Sequence, residues 1–294
     1  MLSSVSLHVK NNKNIVSSPM NYIGGKAKLM PQLLPLFPSE IGTFYDVFAG
    51  GLNVTANVQA SHTVANDLNH YVIEVAETLY FQNTEDILRE IYSYINEFGL
   101  SKTDREAFLT FRADYNKNPN PIKLYTLICY SFNYQFRFND NHEYNNPFGK
   151  DRSQFSKRLK EKLIRFSAKI KEKEIVFHSQ DFEDLLARSE FKSTDFVYLD
   201  PPYFITTGSY NDGNRGFKNW TEKQERLLLS EIDKLHAQGV RFALSNVIEH
   251  KGKKNEILSD WSKKYEINYL NFNYGNSSHN TKKESSLEVL ITNY

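Results

Sequence analysis

A short apolar run at residues 196–199 ends directly in Asp200-Pro201-Pro202-Tyr203, and this junction limits the possible folds more than any other feature of the sequence. Proline has no backbone N–H, so the run cannot continue as an inner strand beyond residue 199. A buried strand therefore delivers Asp200 to its carboxyl end, where open α/β sheets bind their ligands. On its own the tetrapeptide is equally compatible with a rigid turn.

Strand and helix patterns alternate along much of the chain. Strands are predicted at 43–48, 62–65, 175–178, 196–199, 240–245, 267–273 and 287–293, and helices at 26–37, 54–60, 182–186, 222–238 and 255–264. This alternation predicts an α/β fold with a Rossmann-like, doubly wound open sheet. Helical periodicity without strands follows residue 70, and it indicates an inserted helical module.

The polar start of the chain, residues 1–18, predicts a flexible arm, with order beginning near Met20. Residues 19–69 and 156–294 form one domain on this interpretation, and residues 70–155 form the insertion. Extended segments on both sides of a polar tip at 139–143 predict a β-hairpin within the insertion.

Composition excludes several classes of protein. The formal net charge of +1 argues against a nonspecific coat of nucleic acid, and the single Cys129 excludes an internal disulfide and a multi-cysteine zinc site. The sequence has no apolar run of about 18 residues and no signal-peptide pattern, so we expect a soluble protein of the cytoplasm with no membrane association. Ten Lys or Arg against four acids at 150–174 indicate a solvated helix face or a contact with phosphate.

The chemistry predicted for Asp200 is the binding of a planar amine. The backbone carbonyls of a proline-rich loop stay free to accept hydrogen bonds from a ligand. The Asp200 carboxylate and a carbonyl near Pro201 or Pro202 can together hold both hydrogens of an exocyclic amine, and Tyr203 offers a flat face to a base. Transfer of a methyl group from a sulfonium to such an amine needs no metal and no activated nucleophile.

A second motif, Asp46-Val47-Phe48-Ala49-Gly50-Gly51, follows a predicted strand as a glycine turn that lets the backbone approach a cofactor closely. It does not spell Gly-x-Gly-x-x-Gly, and Gly24-Gly25-Lys26 lacks the following Ser or Thr of a P-loop, so both nucleotide motifs are disfavoured. Asp67, at the end of the next strand, suits a ribose hydroxyl or, alternatively, a turn or helix cap.

Taken together, the motifs resemble the Dam/DpnM-like family of DNA adenine-N6 methyltransferases (D12 class, group alpha). The resemblance covers residues 21–294, and its specific pieces are residues 21–26, 46–51, Asp67, 177–182, 200–203, 244–246 and 288–294. It implies a methyltransferase sheet at 19–69 and 156–294, a DNA target-recognition domain at 70–155, S-adenosylmethionine as cofactor and S-adenosylhomocysteine as product.

Site residues follow from the same resemblance. It implies a catalytic loop of Asp200, Pro201, Pro202 and Tyr203, with Tyr22 stacked near the cofactor and Lys26 reaching the cofactor or the DNA. Many relatives have Trp at the position of Tyr22, and either ring can stack. The remaining cofactor contacts are Asp46, Phe48, Gly50, Gly51, the ribose-binding Asp67, Asp181 and Phe182 at the adenine, and Asp200. Asp181 is also a good helix N-cap.

The resemblance further implies that a hairpin enters the major groove of double-stranded DNA and that Arg137 reads a guanine beside the target adenine, as in GATC. A surface ion pair is the alternative role for Arg137. Residues expected near the DNA are Lys26, Phe132, Asn133, Arg137, Asn139 and Pro147, of which Phe132 and Asn133 correspond to residues that fill the gap left by a flipped base. The resemblance also indicates a restriction–modification system, in which a cognate endonuclease could be present without forming a stable complex with this protein.

Two rival functions stay open at this point. A methyltransferase of another class could use the same loop on RNA or on a protein side-chain amide. A noncatalytic DNA-binding protein could have kept the fold, although the intact loop at 200–203 argues against it.

Overall fold

The computed structural model describes residues 14–206, 220–270 and 286–294. These residues form an α/β fold around one sheet of eight strands. In chain order the strands are β1 (Thr43–Asp46), β2 (His62–Asn66), β3 (Ile175–His178), β4 (Phe196–Leu199), β5 (Arg241–His250), β6 (Lys253–Lys254), β7 (Glu266–Leu270) and β8 (Ser286–Thr292).

The sheet has the order β3-β2-β1-β4-β5-β8-β7, with the short β6 paired to β5. The pairs from β3 to β5 are parallel, and β8 joins β5 and β7 antiparallel. From β1 the chain first builds the sheet in one direction, to β2 and β3, and then in the other, from β4 to β5. The predicted doubly wound sheet is thus confirmed, and its switch point, where such sheets bind ligands, lies between β1 and β4.

Ten α-helices are found in the described part of the chain. They are α1 (Met30–Leu33), α2 (Asn53–Asn57), α3 (His70–Phe81), α4 (Thr84–Phe98), α5 (Arg105–Lys117), α6 (Pro121–Tyr130), α7 (Lys157–Lys171), α8 (Phe182–Arg188), α9 (Glu222–Ala237) and α10 (Glu256–Trp261). No helix among the described residues has both the length and the apolar character needed to cross a membrane.

The single helix predicted at 26–37 is wrong. The segment is a 3₁₀ turn at Lys26–Lys28, then α1, then a second 3₁₀ turn at Leu34–Leu36. Pro31 and Pro35 explain the breaks, because proline removes a helical hydrogen bond and its ring clashes with the preceding turn. Other bounds differ as well: β1 ends at Asp46 instead of residue 48, α2 ends at Asn57 instead of residue 60, and β5 continues to His250 beyond the predicted residue 245. The end of the strand predicted at 267–273 lies outside the described residues.

Helices α3 to α7 lie between β2 and β3. Their buried side chains, such as Phe108 and Leu127, belong to the same hydrophobic cluster as Ala56 of α2 and Ala65 of β2. The predicted helical segment is therefore present, and it shares a core with one face of the sheet. Its function in target recognition stays a prediction.

Order was expected to begin near Met20, but the chain is already held in place at Val16 and Ser18. The Val16 amide donates to Asn57 Oδ1 over 2.9 Å, and Asn57 Nδ2 donates back to the Val16 carbonyl over 2.8 Å. Ser18 is buried, and its amide donates to Asn53 Oδ1 over 2.9 Å. Side chains of α2 thus hold the last part of the predicted arm, while residues 1–13 lie outside the described residues.

The predicted hairpin is present in a reduced form. Phe138 pairs with Tyr144, and Ser131 pairs with Phe148, each through an isolated antiparallel bridge. The two arms meet again where the Asn139 amide donates to the Glu143 carbonyl over 2.9 Å. Asn133 and Tyr134, both with a φ of 55°, interrupt the extended backbone of one arm, so no continuous ladder forms.

Candidate active site

The two sequence motifs meet at the switch point of the sheet. Asp46 closes β1 and pairs with Tyr198 of β4, and Asp200 directly follows Leu199, the last residue of β4. The Val47 amide also donates to the Tyr198 carbonyl over 3.1 Å, so the two loops leave the sheet side by side. Parallel pairing of β1 with β4 therefore brings the glycine turn and the proline loop to one crevice.

Asp200 is held from one side by Lys26. The Lys26 ammonium lies 2.8 Å from Asp200 Oδ1, and it donates to the Tyr203 hydroxyl over 2.7 Å. The Tyr203 hydroxyl lies 3.1 Å from the same Oδ1 atom. Among the described residues no donor reaches Asp200 Oδ2. One oxygen of the carboxylate is thus fixed by the protein, and the other is available to a ligand.

A second carboxylate adjoins this group. Glu288, in the middle of β8, places Oε1 3.4 Å from the Tyr203 hydroxyl, and its buried Oε2 has no hydrogen-bond partner among the described residues. Burial raises the pKa of Asp200 and of Glu288, and in each case the charge of Lys26 opposes the rise. Two acids therefore share one buried lysine, an arrangement that favours additional hydrogen-bond donors or positive charge.

Tyr203 and Lys26 are more buried than their predicted contacts with a base and with DNA suggest. Tyr203 is 7% exposed, and the Lys26 ammonium stands 5.0 Å from the centre of its ring, so the ring is not an open stacking face here. Lys26 is itself 4% exposed and points to Asp200 rather than to the molecular surface. The stacking of a base on Tyr203 and the contact of Lys26 with DNA both stay predictions.

The glycine turn is fixed by Asp67, which follows β2. Asp67 Oδ2 accepts a hydrogen bond from the Gly50 amide over 2.8 Å, and Oδ1 accepts one from the Asn69 amide over 2.9 Å. Gly50 has a φ of 47°, and a Cβ atom there would lie 2.7 Å from the Tyr22 ring. Glycine is required because both the backbone conformation and the close approach of Tyr22 exclude a side chain.

Asp46 lies under the same turn and is buried. Its Oδ2 accepts from the Thr55 amide over 3.1 Å and from the Thr55 hydroxyl over 2.6 Å, whereas Oδ1 has no partner in the described part of the chain. Burial, together with repulsion from Asp200 and Asp67, raises the pKa of Asp46 to about 7 against the opposing hydrogen bonds from Thr55. Burial likewise raises the pKa of Asp67 to about 6. Three carboxylates thus converge on the crevice and disfavour one another's ionisation.

The stability of the protein should depend on pH through Asp46. Its pKa is about 7 in the folded chain against an ordinary 3.8, so the folded state holds this proton more strongly. The resulting stabilisation is complete below pH 3.8 and is lost as the pH rises through about 7. We expect the unfolding free energy, measured with urea, to fall less over that range in an Asp46→Asn protein, because the amide does not ionise. Equal slopes for the two proteins would contradict the assignment.

Phe48 of the glycine turn packs in a group of three aromatic side chains, together with Phe182 and Trp220. Phe182 opens α8 and is buried, and its ring centre lies 5.7 Å from those of Phe48 and Trp220. Asp181, the residue before it, is the N-cap of α8, and its Oδ1 accepts from the Glu183 amide over 3.1 Å. The capping alternative for Asp181 is therefore realised, and its contact with a cofactor stays a prediction.

In the hairpin segment, Phe132 is 43% exposed, and the exposed Asn133 has a left-handed backbone. The Asn133 carbonyl accepts from Asn21 Nδ2 over 2.8 Å, which ties this turn to the glycine-rich segment before Lys26. Pro147 is exposed, and its carbonyl accepts from the Phe132 amide over 2.7 Å.

Arg137 is half-buried, and no carboxylate of the described residues lies within 4.0 Å of its guanidinium, so the ion-pair alternative is not observed there. Asn139, by contrast, shapes the tip itself. Its Oδ1 accepts from the Asn141 and Glu143 amides, and its Nδ2 donates to the Glu143 carboxylate over 2.9 Å. The Arg137 guanidinium therefore has hydrogen-bonding capacity to spare.

Three features of the site were not predicted from the sequence. They are Glu288 beside Tyr203, Trp220 beside Phe48, and Asn66, whose Nδ2 donates to the Val47 and Gln180 carbonyls and joins two loops of the crevice. A signal existed for Glu288, since an acid within the apolar strand at 286–292 is unusual unless it faces a polar site. None existed for Asn66, because its partners are backbone atoms of distant segments.

A family model and several sequence relatives indicate the same class of enzyme. The family model for D12 class N6 adenine-specific DNA methyltransferases matches residues 22–275. The chain is 54% identical to Type II methyltransferase M.FokI of Planomicrobium okeanokoites, over 97% of this chain and 46% of that protein. It is 50% identical to Modification methylase StsI of Streptococcus sanguinis, over 98% of this chain and 44% of that protein. The chain is also 35% identical to Modification methylase LlaI of Lactococcus lactis subsp. lactis, over 100% of this chain and 46% of that protein. The chain spans less than half the length of these relatives.

Proposed function

Because this chain belongs to the D12 class of N6 adenine-specific DNA methyltransferases, we propose that it transfers a methyl group from S-adenosylmethionine to N6 of adenine in double-stranded DNA. The observation that carries the proposal is the position of Asp200, one oxygen held by Lys26 and Tyr203 and the other facing no protein donor among the described residues. The similarity of the chain to a Type II methyltransferase and to modification methylases supports the proposal.

The residues of the crevice fit S-adenosylmethionine. This cofactor carries a sulfonium and an ammonium, and when bound it supplies a methyl group with a good leaving group behind it. Asp46 offers a buried oxygen without a partner among the described residues, and burial raises the pKa of Asp46 and of Asp67, so both acids favour a nearby positive charge. A cationic ligand would favour the ionised form of both acids.

Asp200 orients the target amine in this proposal. Its Oδ2 accepts one N–H of the amine, and a carbonyl of the Pro201-Pro202 segment accepts the other, so the nitrogen lone pair points away from both. Lys26 keeps Oδ1 in place over 2.8 Å and stabilises the carboxylate form of Asp200. The amine gives up a proton once the new N–C bond has formed, and Asp200, whose pKa burial raises, is the nearest acceptor for it.

Adenine N6 lies within the base pair of a duplex, so the target base must leave the stack to reach Asp200. We assign Phe132, Asn133, Arg137, Asn139 and Pro147 to the DNA side of the crevice, with Arg137 reading a guanine that precedes the adenine. The exposed ring of Phe132 and the link from Asn21 to the Asn133 carbonyl support this assignment. The setting we propose is restriction–modification, with a cognate endonuclease acting on the same sites without forming a stable complex.

Product analysis tests the proposed function. The chain is incubated with methyl-labelled S-adenosylmethionine and separately with duplex DNA, RNA or a protein mixture, and the DNA is then hydrolysed and searched for N6-methyladenine. We expect label in duplex DNA, all of it in N6-methyladenine. Label confined to RNA or protein would support a methyltransferase of another class. DNA binding without label in any substrate would support a noncatalytic DNA-binding protein.

Replacing Arg137 with alanine should change selectivity rather than overall activity. A bidentate contact with guanine discriminates by about 1–3 kcal/mol, or about 5- to 150-fold. After methylated adenines have been mapped in DNA, rates are compared on duplexes in which the preceding guanine is kept or replaced. The Arg137→Ala protein should no longer distinguish them.

Arg165, exposed on α7, provides the matched control. An Arg165→Ala protein loses one positive charge, so a phosphate contact at this position would weaken binding to all duplexes equally. Unchanged selectivity in the Arg137→Ala protein would refute the assignment of guanine reading to this residue.

A further inference from the structure

Trp220 closes an aromatic group at the edge of the crevice. Its ring meets Phe48 almost perpendicularly, at 82° with ring centres 5.7 Å apart, and it meets Phe182 at 50° and 5.7 Å. Phe48 belongs to the glycine turn after β1, and Phe182 opens the helix after β3. Trp220 precedes α9 and therefore braces the ends of two other segments of the chain.

The indole is held by a buried carboxylate. Trp220 Nε1 donates to Glu225 Oε2 over 2.8 Å, and Glu225 is fully buried in the first turn of α9. Glu225 Oε1 accepts from Asn255 Nδ2 over 2.9 Å and from Asn246 Nδ2 over 3.3 Å. A carboxylate at this depth is unfavourable unless donors satisfy it. Here three N–H groups from three elements do so, and together they fix the plane of the indole.

Packing alone does not explain this arrangement. A tryptophan that only filled space could leave its N–H at the surface, whereas here the N–H requires a buried acid and two buried asparagines. The family resemblance implies that Phe182 lies at the adenine of S-adenosylmethionine and that Phe48 contacts the same cofactor. Rings fixed in this way bind a flat purine at a smaller cost in conformational entropy than mobile ones.

We propose that Trp220, held by Glu225, is a positioning residue that fixes Phe48 and Phe182 against the purine ring of the cofactor. The inference rests on the proposed function, because it takes S-adenosylmethionine to be the ligand of the crevice. It adds a third aromatic wall and its buried anchor to the two rings that the family resemblance indicates. The effect appears in the binding of the cofactor and not in the chemical step.

The chain is well suited to a fluorescence test, because Trp220 and Trp261 are its two tryptophans. Trp261 is a matched control, since its Nε1 also donates to a carboxylate, Asp233 Oδ1, over 2.9 Å, but it lies in α10 within a different aromatic group. In a Trp261→Phe protein all tryptophan emission comes from Trp220. We expect this emission to change on titration with S-adenosylhomocysteine and to saturate with the dissociation constant that calorimetry gives. A Trp220→Phe protein should show no such change.

Glu225→Gln separates positioning from folding. The glutamine keeps the size of the side chain, but it cannot satisfy the indole and both asparagines as the carboxylate does. We expect KM for S-adenosylmethionine to rise about tenfold, with kcat on duplex DNA within about twofold of the parent. A merely structural role would lower the melting temperature and leave KM unchanged.

The outcomes distinguish the two proposals. If the unmodified chain does not bind S-adenosylhomocysteine by calorimetry, the proposed function fails and this inference fails with it. If the chain binds, but Trp220 emission is unchanged or the Glu225→Gln protein keeps its KM, the inference alone is overturned. Since the Trp261→Phe titration leaves Trp220 and Glu225 intact, misfolding of the other variants cannot conceal the result.

Discussion

Asp200→Ala is expected to reduce kcat for methyl transfer to duplex DNA by about 10³-fold, while the affinity for S-adenosylhomocysteine stays within a few-fold of the parent protein. The alanine cannot accept the N–H of the target amine, and it leaves the buried Lys26 ammonium without its carboxylate partner. Initial rates with labelled cofactor, together with calorimetric titration of S-adenosylhomocysteine, measure both quantities.

Asp195 supplies the control, because it lies at the opposite end of the same strand. Its two oxygens accept hydrogen bonds from the Thr43 and Lys192 amides, each over 2.9 Å, so an Asp195→Ala protein loses a comparable buried acid away from the crevice. It should melt at a lower temperature and keep its kcat. An Asp200→Ala protein as active as its parent would remove the proposed function of the proline loop.

The second large effect is expected at Asp67. Asp67→Ala leaves the Gly50 and Asn69 amides without their acceptor, and a buried unsatisfied donor costs about 1–3 kcal/mol. We therefore expect the unfolding free energy to fall by about 3 kcal/mol. In addition, the affinity for S-adenosylhomocysteine should fall about 30-fold, because the charged acceptor that we assign to the ribose hydroxyls is lost. Urea unfolding and calorimetry give the two numbers.

Asp104→Ala is the comparison for this prediction. Asp104 is an exposed N-cap of α5 whose Oδ1 accepts from the Ala107 amide over 2.9 Å, and its loss should cost about 1 kcal/mol with no change in affinity. Asp67→Asn keeps the size of the side chain and removes its charge. Its affinity for S-adenosylhomocysteine should lie between that of Asp67→Ala and that of the parent protein. If all three variants bind S-adenosylhomocysteine like the parent, Asp67 only stabilises the glycine turn.

Much of the fold follows from local patterns. The strands at Ile175–His178 and Phe196–Leu199 have the bounds predicted from the sequence, because apolar, β-branched and aromatic residues are bounded there by polar residues or proline. The helix predicted at 26–37 is wrong for an equally local reason, because Pro31 and Pro35 interrupt a segment whose apolar residues have helical spacing. The anchoring of Val16 and Ser18 on α2 has no local signal at all, because it depends on asparagine side chains about 40 residues away.

The sequence by itself determined the short motifs to which we assign the chemistry, namely the glycine turn after β1, Asp67 after β2 and the proline loop after β4. Each is a short motif at the end of a strand, and the backbone requirements of glycine and proline make such motifs legible from the residue types alone. Only the tertiary structure decided that Lys26, Tyr203 and Glu288 surround Asp200, and that Glu225 holds Trp220 against Phe48. Those contacts join segments far apart in the chain, and they form because the order of strands in the sheet places their ends together.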